Sequence, residues 1–305
     1  MHFSKPELKA SITDGLLSFP VTDFDANGKF DAESYRKRLL WLKGYEVSAL
    51  FVAGGTGEFF NLTLDEFREI VKVAVEAIGG HVPIIASAGQ SAELAKEHAR
   101  IAQEEGADGI LLMPPYLTEC SQGGIVEYAA SVCQSTDLGV IYYNRANGYL
   151  NVDAVKSLAD RCDNLIGLKD GKGDMQALNI TIKTLGDRLG YVGGVPTAEI
   201  IAEAYLAIGV STYSSAVFNF VPDMAVKFYK ALRQGDSDFV SKATREFFIP
   251  FVTLRDTMPG YAVSLVKAGA GIVGYSGGDV RAPLTMPSNE QLIQLKGLVE
   301  KAKSL

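Results

Sequence analysis

An α/β barrel of eight βα units followed by a helical extension is the fold this sequence predicts, and three observations predict it. Short β-branched or apolar runs alternate with amphipathic segments about ten to eighteen residues long. Eight such alternations fit into about 220 residues, the span of a (β/α)8 TIM barrel. From about residue 234 the alternation gives way to long helical stretches. With 305 residues, 47% of them hydrophobic, the chain can bury a large core.

In order, the runs expected as strands cover residues 15–19, 49–53, 83–88, 109–113, 139–143, 165–169, 191–194 and 210–215. Helices are expected near 31–44, 64–78, 91–105, 122–135, 152–161, 174–185, 197–208 and 222–233. Thr63-Leu64-Asp65-Glu66 reads as a capping box, in which the threonine oxygen and the glutamate carboxylate satisfy orphan amides at the start of the second of these helices. Asp174, after Gly171-Lys172-Gly173, suits the cap of the sixth. Beyond the barrel, taken as residues 1–233, the extension 234–305 carries helical stretches at 236–256, 259–270 and 288–303, divided by a Gly-rich connection at 274–278 and Pro283. No flexible linker separates the two parts, so they are expected to pack together.

The net charge of -7 argues against nucleic acid or an anionic membrane surface as the partner, because both select basic patches. A small anionic substrate would instead be met by local basic groups or helix N-termini. Cys120, Cys133 and Cys162 form no CxxC pair, and no signal peptide or 18-residue apolar run precedes them, so a reducing cytoplasm is the expected compartment. The histidines His2, His81 and His98 lie far apart without metal-ligand spacing, and no metal is expected.

Active sites of such barrels assemble at the C-terminal ends of the strands. Lys169 ends the run Leu165-Ile166-Gly167-Leu168-Lys169, where a lysine has no ordinary structural reason to be. Alternation puts Leu165, Gly167 and Lys169 on one face and Ile166 and Leu168 on the other. If the second pair packs under helices, Lys169 points inward, where a dry pocket lowers an amine's pKa and leaves a nucleophilic neutral fraction, as a Schiff-base lysine requires. The competing reading is a strand-end lysine reaching into solvent beside Asp170. After the second strand, Gly54-Gly55-Thr56-Gly57-Glu58 offers backbone amides and one hydroxyl suited to a carboxylate; a tight turn would explain the glycines alone.

The fourth strand ends in Pro114-Pro115-Tyr116 and the fifth in Tyr142-Tyr143-Asn144-Arg145. A tyrosine at the mouth can relay a proton and Arg145 can bind a carboxylate, but only one of Tyr142 and Tyr143 points inward and periodicity does not say which. The last two strands end in Gly193-Gly194 and Ser214-Ser215, small residues that leave room for a ligand or fill a taper. Gly269 to Gly274 fits GxGxxG, yet it follows a helix and opens no βαβ unit, so it reads as a helix exit. Lys172 lies beyond the strand and is expected in solvent.

GGTGE after the second strand, a Tyr-Asn pair after the fifth and GLKD at the end of the sixth, in a chain of this length, together resemble the dihydrodipicolinate synthase and N-acetylneuraminate lyase superfamily. The resemblance implies a TIM barrel, Lys169 as the Schiff-base lysine, Tyr143 as the catalytic tyrosine, and Gly55 with Thr56 as the carboxylate-binding loop, Thr56 adding a catalytic hydroxyl. Asn144 or Arg145, with Gly193 and either Ser214 or Ser215, are the further substrate-binding candidates. By position Tyr116 corresponds to the neighbouring-subunit tyrosine of the synthases, and the resemblance implies a homotetramer. Where the synthases carry two threonines in the loop, this chain has Gly55 in the first place.

GLLSFPVTDFDANGKFDAESYRKRLLWL, ALFVAGGTGEFFNLT and YYNRAN are similar to the decarboxylating sugar-acid dehydratases of that superfamily. This implies an imine on the ketone of a keto-deoxy sugar acid, loss of water and loss of CO2, with the imine as electron sink and no cofactor. A retro-aldolase acting on a 2-keto-3-deoxy sugar acid would use the same imine, and a keto-acid sensor without chemistry would use the same pocket.

Overall fold

A computed structural model describes residues 2–116 and 119–305. Its strands are β1 (Leu17–Ser18), β2 (Ala49–Val52), β3 (Ile84–Gln90), β4 (Gly109–Pro115), β5 (Gly139–Asn144), β6 (Leu165–Asp170), β7 (Gly190–Gly193) and β8 (Ser214–Ser215). They form one eight-stranded sheet in the order β7-β6-β5-β4-β3-β2-β1-β8, with every ladder parallel. A parallel bridge between Gly193 and Tyr213 brings the two ends together, so the sheet is a nearly closed (β/α)8 barrel. Helices lie between the strands at the expected places, including Leu64–Ile78 behind its Thr63 capping box and Met175–Leu185 behind Asp174.

The apolar residues divide into two cores. Outward residues such as Leu50, Val52, Ile110 and Leu168 pack under the helices. Inward residues such as Leu17, Phe51, Ile85, Leu111 and Ile141 fill the barrel as layers of side chains.

One helix was not expected. Lys5–Ser11 starts at a Ser4–Glu7 capping box with a proline in its first turn. It plugs the bottom of the barrel with Leu8 and, just past its end, Ile12, both buried. Glycines in the strands make the room: a Cβ on Gly109 would lie 2.5 Å from Leu8 Cδ2, and one on Gly167 would lie 2.7 Å from Ile12 Cδ1. Leu8→Ala therefore opens a cavity beside β4 and β5 and is expected to cost about 2–5 kcal/mol, measured as the shift in a urea unfolding midpoint.

Three other expectations are corrected. The segment 197–208 divides into a 3-10 turn, Ala198–Ile201, and a helix, Ala202–Ile208, because Thr197 before it sits in the left-handed region at φ 55°. The stretch 236–256 is broken by a π turn at Thr244–Phe248, next to Pro250, which has no amide to continue the ladder. In β6 the alternation slips. The register with β5 shifts between Val140 and Ile141, so Leu165 faces the helices and Ile166 turns into the barrel. Gly167 and Lys169 keep the inward face and Leu168 the outward one.

The helices after residue 234 pack on the barrel rather than on each other alone: Lys267, in helix Tyr261–Ile272, reaches the loop after β2. The GxGxxG segment is the exit of that helix, with Gly274 at φ 94°. Among the described residues no helix is long and apolar enough to cross a membrane.

Candidate active site

Parallel neighbours in register point the same way, so the β5–β6 ladder decides which of the paired tyrosines enters the barrel. Tyr143 is opposite Lys169 and packs with the inward residues. Tyr142 turns outward and donates its hydroxyl to the carbonyl of Gly148. Lys169 is 3% exposed. Its Nζ lies 3.7 Å from the centre of the Tyr143 ring and 5.0 Å from that of Phe19, and donates to the carbonyl oxygen of Gly194 at 3.2 Å. The Tyr143 hydroxyl donates to the same oxygen at 2.8 Å.

Asp170 does not pair with the lysine. Its carboxylate points outward, accepts from Tyr205 at 2.6 Å and from the amides of Lys172 and Gly173, and so pins the turn after β6. Lys172 reaches solvent over Tyr149.

Burial sets the electrostatics of the pair. Loss of water lowers the pKa of Lys169, partly opposed by Tyr143 and helped by Arg145. For Tyr143 burial pushes the other way, but Lys169 and Arg145 outweigh it and hold the hydroxyl below its ordinary value. Arg145 donates to the Tyr143 oxygen at 3.4 Å. Burial thus biases the amine toward its neutral, nucleophilic form, and while the amine is still protonated it joins Arg145 in biasing the phenol toward giving up its proton.

The remaining candidates separate. Gly55 is exposed and Thr56 half-buried in the loop after β2. A side chain on Gly54 would overlap the ring of Phe19, the ring that also flanks Lys169. Ser214 is in register with inward Leu17 and shares its face, whereas Ser215 turns outward. Asn144 faces away: both ends of its amide are taken by the backbone of Leu150, at 3.1 and 2.7 Å, holding the loop that carries Arg145. Gly193 also faces away, toward Tyr205 and Tyr213, and Gly194 is the glycine against the lysine. Tyr116, 71% exposed, follows the last residue of β4.

A match to the dihydrodipicolinate synthetase family spans residues 13–302. The chain belongs to that family. Curated family members similar to it include a 5-dehydro-4-deoxyglucarate dehydratase of Pseudomonas putida, 51% identical over 97% of both chains. A probable enzyme of the same name from Acinetobacter baumannii (strain AB307-0294) is 54% identical over 92% of both. Among solved structures, dihydrodipicolinate synthase from Bacillus clausii has a TM-score of 0.89 at 24% identity, covering 97% of this chain and 99% of that one. A prophage protein of the dihydrodipicolinic acid synthase family from E. coli K12, solved in complex with pyruvate, has a TM-score of 0.85 at 26% identity, covering 95% and 98%.

Two buried carboxylates of this family member were not singled out as they deserve by sequence. Glu58 closes the GGTGE loop without facing solvent, and its amine partner Lys267 is a lone charge inside the apolar helix YAVSLVKAGAGI, the same kind of signal that marked Lys169. Glu199, behind the wall of β8, accepts from Ser215 at 2.6 Å and has its second oxygen unpartnered among the described residues. Burial pushes its pKa up to about 7, with Ser215 opposing. A carboxyl raised in the fold binds its proton more tightly than in the unfolded chain, so stability is highest below the unfolded pKa and falls as pH rises toward about 7. Glu199→Gln is expected to raise stability by about 3 kcal/mol at pH 8 and by little at pH 4, read from melting curves at the two pH values.

Proposed function

We propose that this protein is a decarboxylating dehydratase that converts 5-dehydro-4-deoxyglucarate to 2,5-dioxopentanoate, water and CO2 through an imine on Lys169. The observation that carries the reading is the buried Lys169 amine, seated on the Tyr143 ring at the C-terminal mouth of the barrel. Relatives about half identical over nearly the whole chain supply the substrate class.

Neutral Lys169 attacks the C5 ketone, while the amides and hydroxyl of Gly55 and Thr56 hold the adjacent carboxylate. Water leaves as the iminium forms. The iminium acidifies C4, a base removes a C4 proton, and hydroxide departs from C3 as water, giving a C3–C4 double bond conjugated to the iminium. The C1–C2 bond then breaks. Its electrons pass through C2, C3 and C4 to the imine nitrogen, releasing CO2. Protonation on carbon, ketonisation of the C2 enol to an aldehyde and hydrolysis of the imine free the product and Lys169. Tyr143, beside the amine and with its proton loosened, is the assigned proton carrier. Arg145 and Ser214 are assigned to the distal carboxylate and hydroxyls. The imine accepts the electrons throughout, so the route requires no cofactor.

We further assign the protein to the reducing cytoplasm and to a homotetramer, with Tyr116 at a subunit contact; sedimentation of the purified protein reads the mass. The activity test incubates the protein with 5-dehydro-4-deoxyglucarate, follows CO2 and 2,5-dioxopentanoate, and treats a parallel sample with borohydride before peptide mass spectrometry. CO2 release with a reduced adduct on Lys169 supports the reading. A reduced adduct of a cleavage fragment, with no CO2, replaces it by the retro-aldolase.

A further inference from the structure

The loop after β2 is bent against its own preferences. Ala53 and Glu58 both sit in the left-handed region, at φ 48° and 58°, which side-chain-bearing residues adopt at a cost of about 1–3 kcal/mol each. The bend is held from outside the barrel. The Glu58 side chain, 0% exposed, accepts from Lys267 Nζ at 2.9 Å through one oxygen and from the Arg281 amide at 2.9 Å and Asn61 at 3.2 Å through the other. Lys267 is itself 1% exposed and lies 4.0 Å from the centre of the Phe24 ring. Thr22 adds a hydroxyl donated to the Gly57 carbonyl at 2.7 Å. At the tip there is open space: among the described residues a side chain on Gly55 would meet no atom within 4 Å.

A buried ion pair is a poor way to gain stability, because apolar residues of similar volume usually serve as well or better. It does impose one geometry, since either partner alone would be an uncompensated buried charge. Here that geometry belongs to a loop whose tip is open and whose base is clamped. We propose that the Glu58–Lys267 pair is a positioning device: it aims the amides of Gly55 and Thr56, which on the reading above hold the carboxylate beside the substrate's ketone. Glu58 and Lys267 touch no reacting atom and act through the loop. The inference gives the helix Tyr261–Ile272 a role in binding, exerted from outside the barrel.

The test measures borohydride trapping on Lys169 against the concentration of pyruvate, the smallest 2-keto acid, in wild-type protein, Glu58→Gln, Lys267→Met and the double variant. The half-saturating pyruvate concentration is expected to rise on the order of tenfold in each single variant. The trapping rate at saturation stays within about twofold, because the lysine is untouched. The double variant is expected to be no worse than the worse single one, since both changes break one interaction. Glu58→Gln keeps the side-chain volume and answers the question if Lys267→Met does not fold. Unchanged half-saturation in variants that merely melt earlier makes the pair structural and overturns the proposal alone. A wild-type protein that is never trapped on Lys169 overturns the imine reading and this proposal with it.

Discussion

Replacing Lys169 by alanine is expected to eliminate borohydride trapping and to lower turnover by on the order of 10⁴-fold or more, the scale seen when a covalent nucleophile is removed. Among the described residues the amine is held by the Gly194 carbonyl and by Tyr143, and it lies against the rings of Phe19 and Tyr143. Burying an amine that way costs free energy that few contacts return, so the variant should melt no earlier than the wild type. A dead enzyme of undiminished stability separates a chemical role from a structural one. Turnover that survives with the fold intact would move the chemistry off Lys169.

Gly194→Ala comes next in size. A Cβ there would lie 2.6 Å from both Cγ and Nζ of Lys169 and 2.5 Å from the Asp170 carbonyl oxygen. The strand cannot yield at Asp170 without disturbing the turn that this residue pins, so the lysine must swing off Tyr143. Trapping and turnover are expected to fall about 100-fold, with a stability loss of about 1–3 kcal/mol from overpacking. Gly193→Ala is the control. Its added methyl would press on Tyr205 and Tyr213, at 2.8 and 3.0 Å, on the helix side of the wall. It should lose comparable stability while the folded fraction traps at the wild-type rate. Equal losses of trapping in both variants would show that the effect is general strain rather than crowding of the lysine.

The positions of the strand ends were legible because hydrophobic period and turn residues mark them, and a lysine at the end of a five-residue apolar run is conspicuous without any partner in view. What alternation could not decide was side. Tyr142 and Tyr143 are both buried, one under helices and one in the barrel, so polarity offers no contrast and the ladders to the neighbouring strands assign them. Gly193 and Gly194 differ by one residue, and a one-residue difference changes faces. The slip at Ile166 is a register effect between two strands and leaves no trace in either strand alone. Asn144 looked like a site residue because it adjoins the tyrosine; its amide serves Leu150. Glu58 and Lys267 are 209 residues apart in the chain, and nothing local to either names the other. The first helix was signalled by Ser4 and Glu7 and by glycines in the strands, features that gain meaning only once Leu8 and Ile12 are seen between the strands.

That helix also settles the traffic of the molecule. Among the described residues Leu8 and Ile12 close the floor of the barrel, so on the proposed reading whatever reacts at Lys169 enters and leaves past the loops at the rim. On the proposed reaction, the products leave through the same opening that the substrate uses. The pace of departure, and the rim residues that govern it, become as much a property of the enzyme as the bond-breaking beneath.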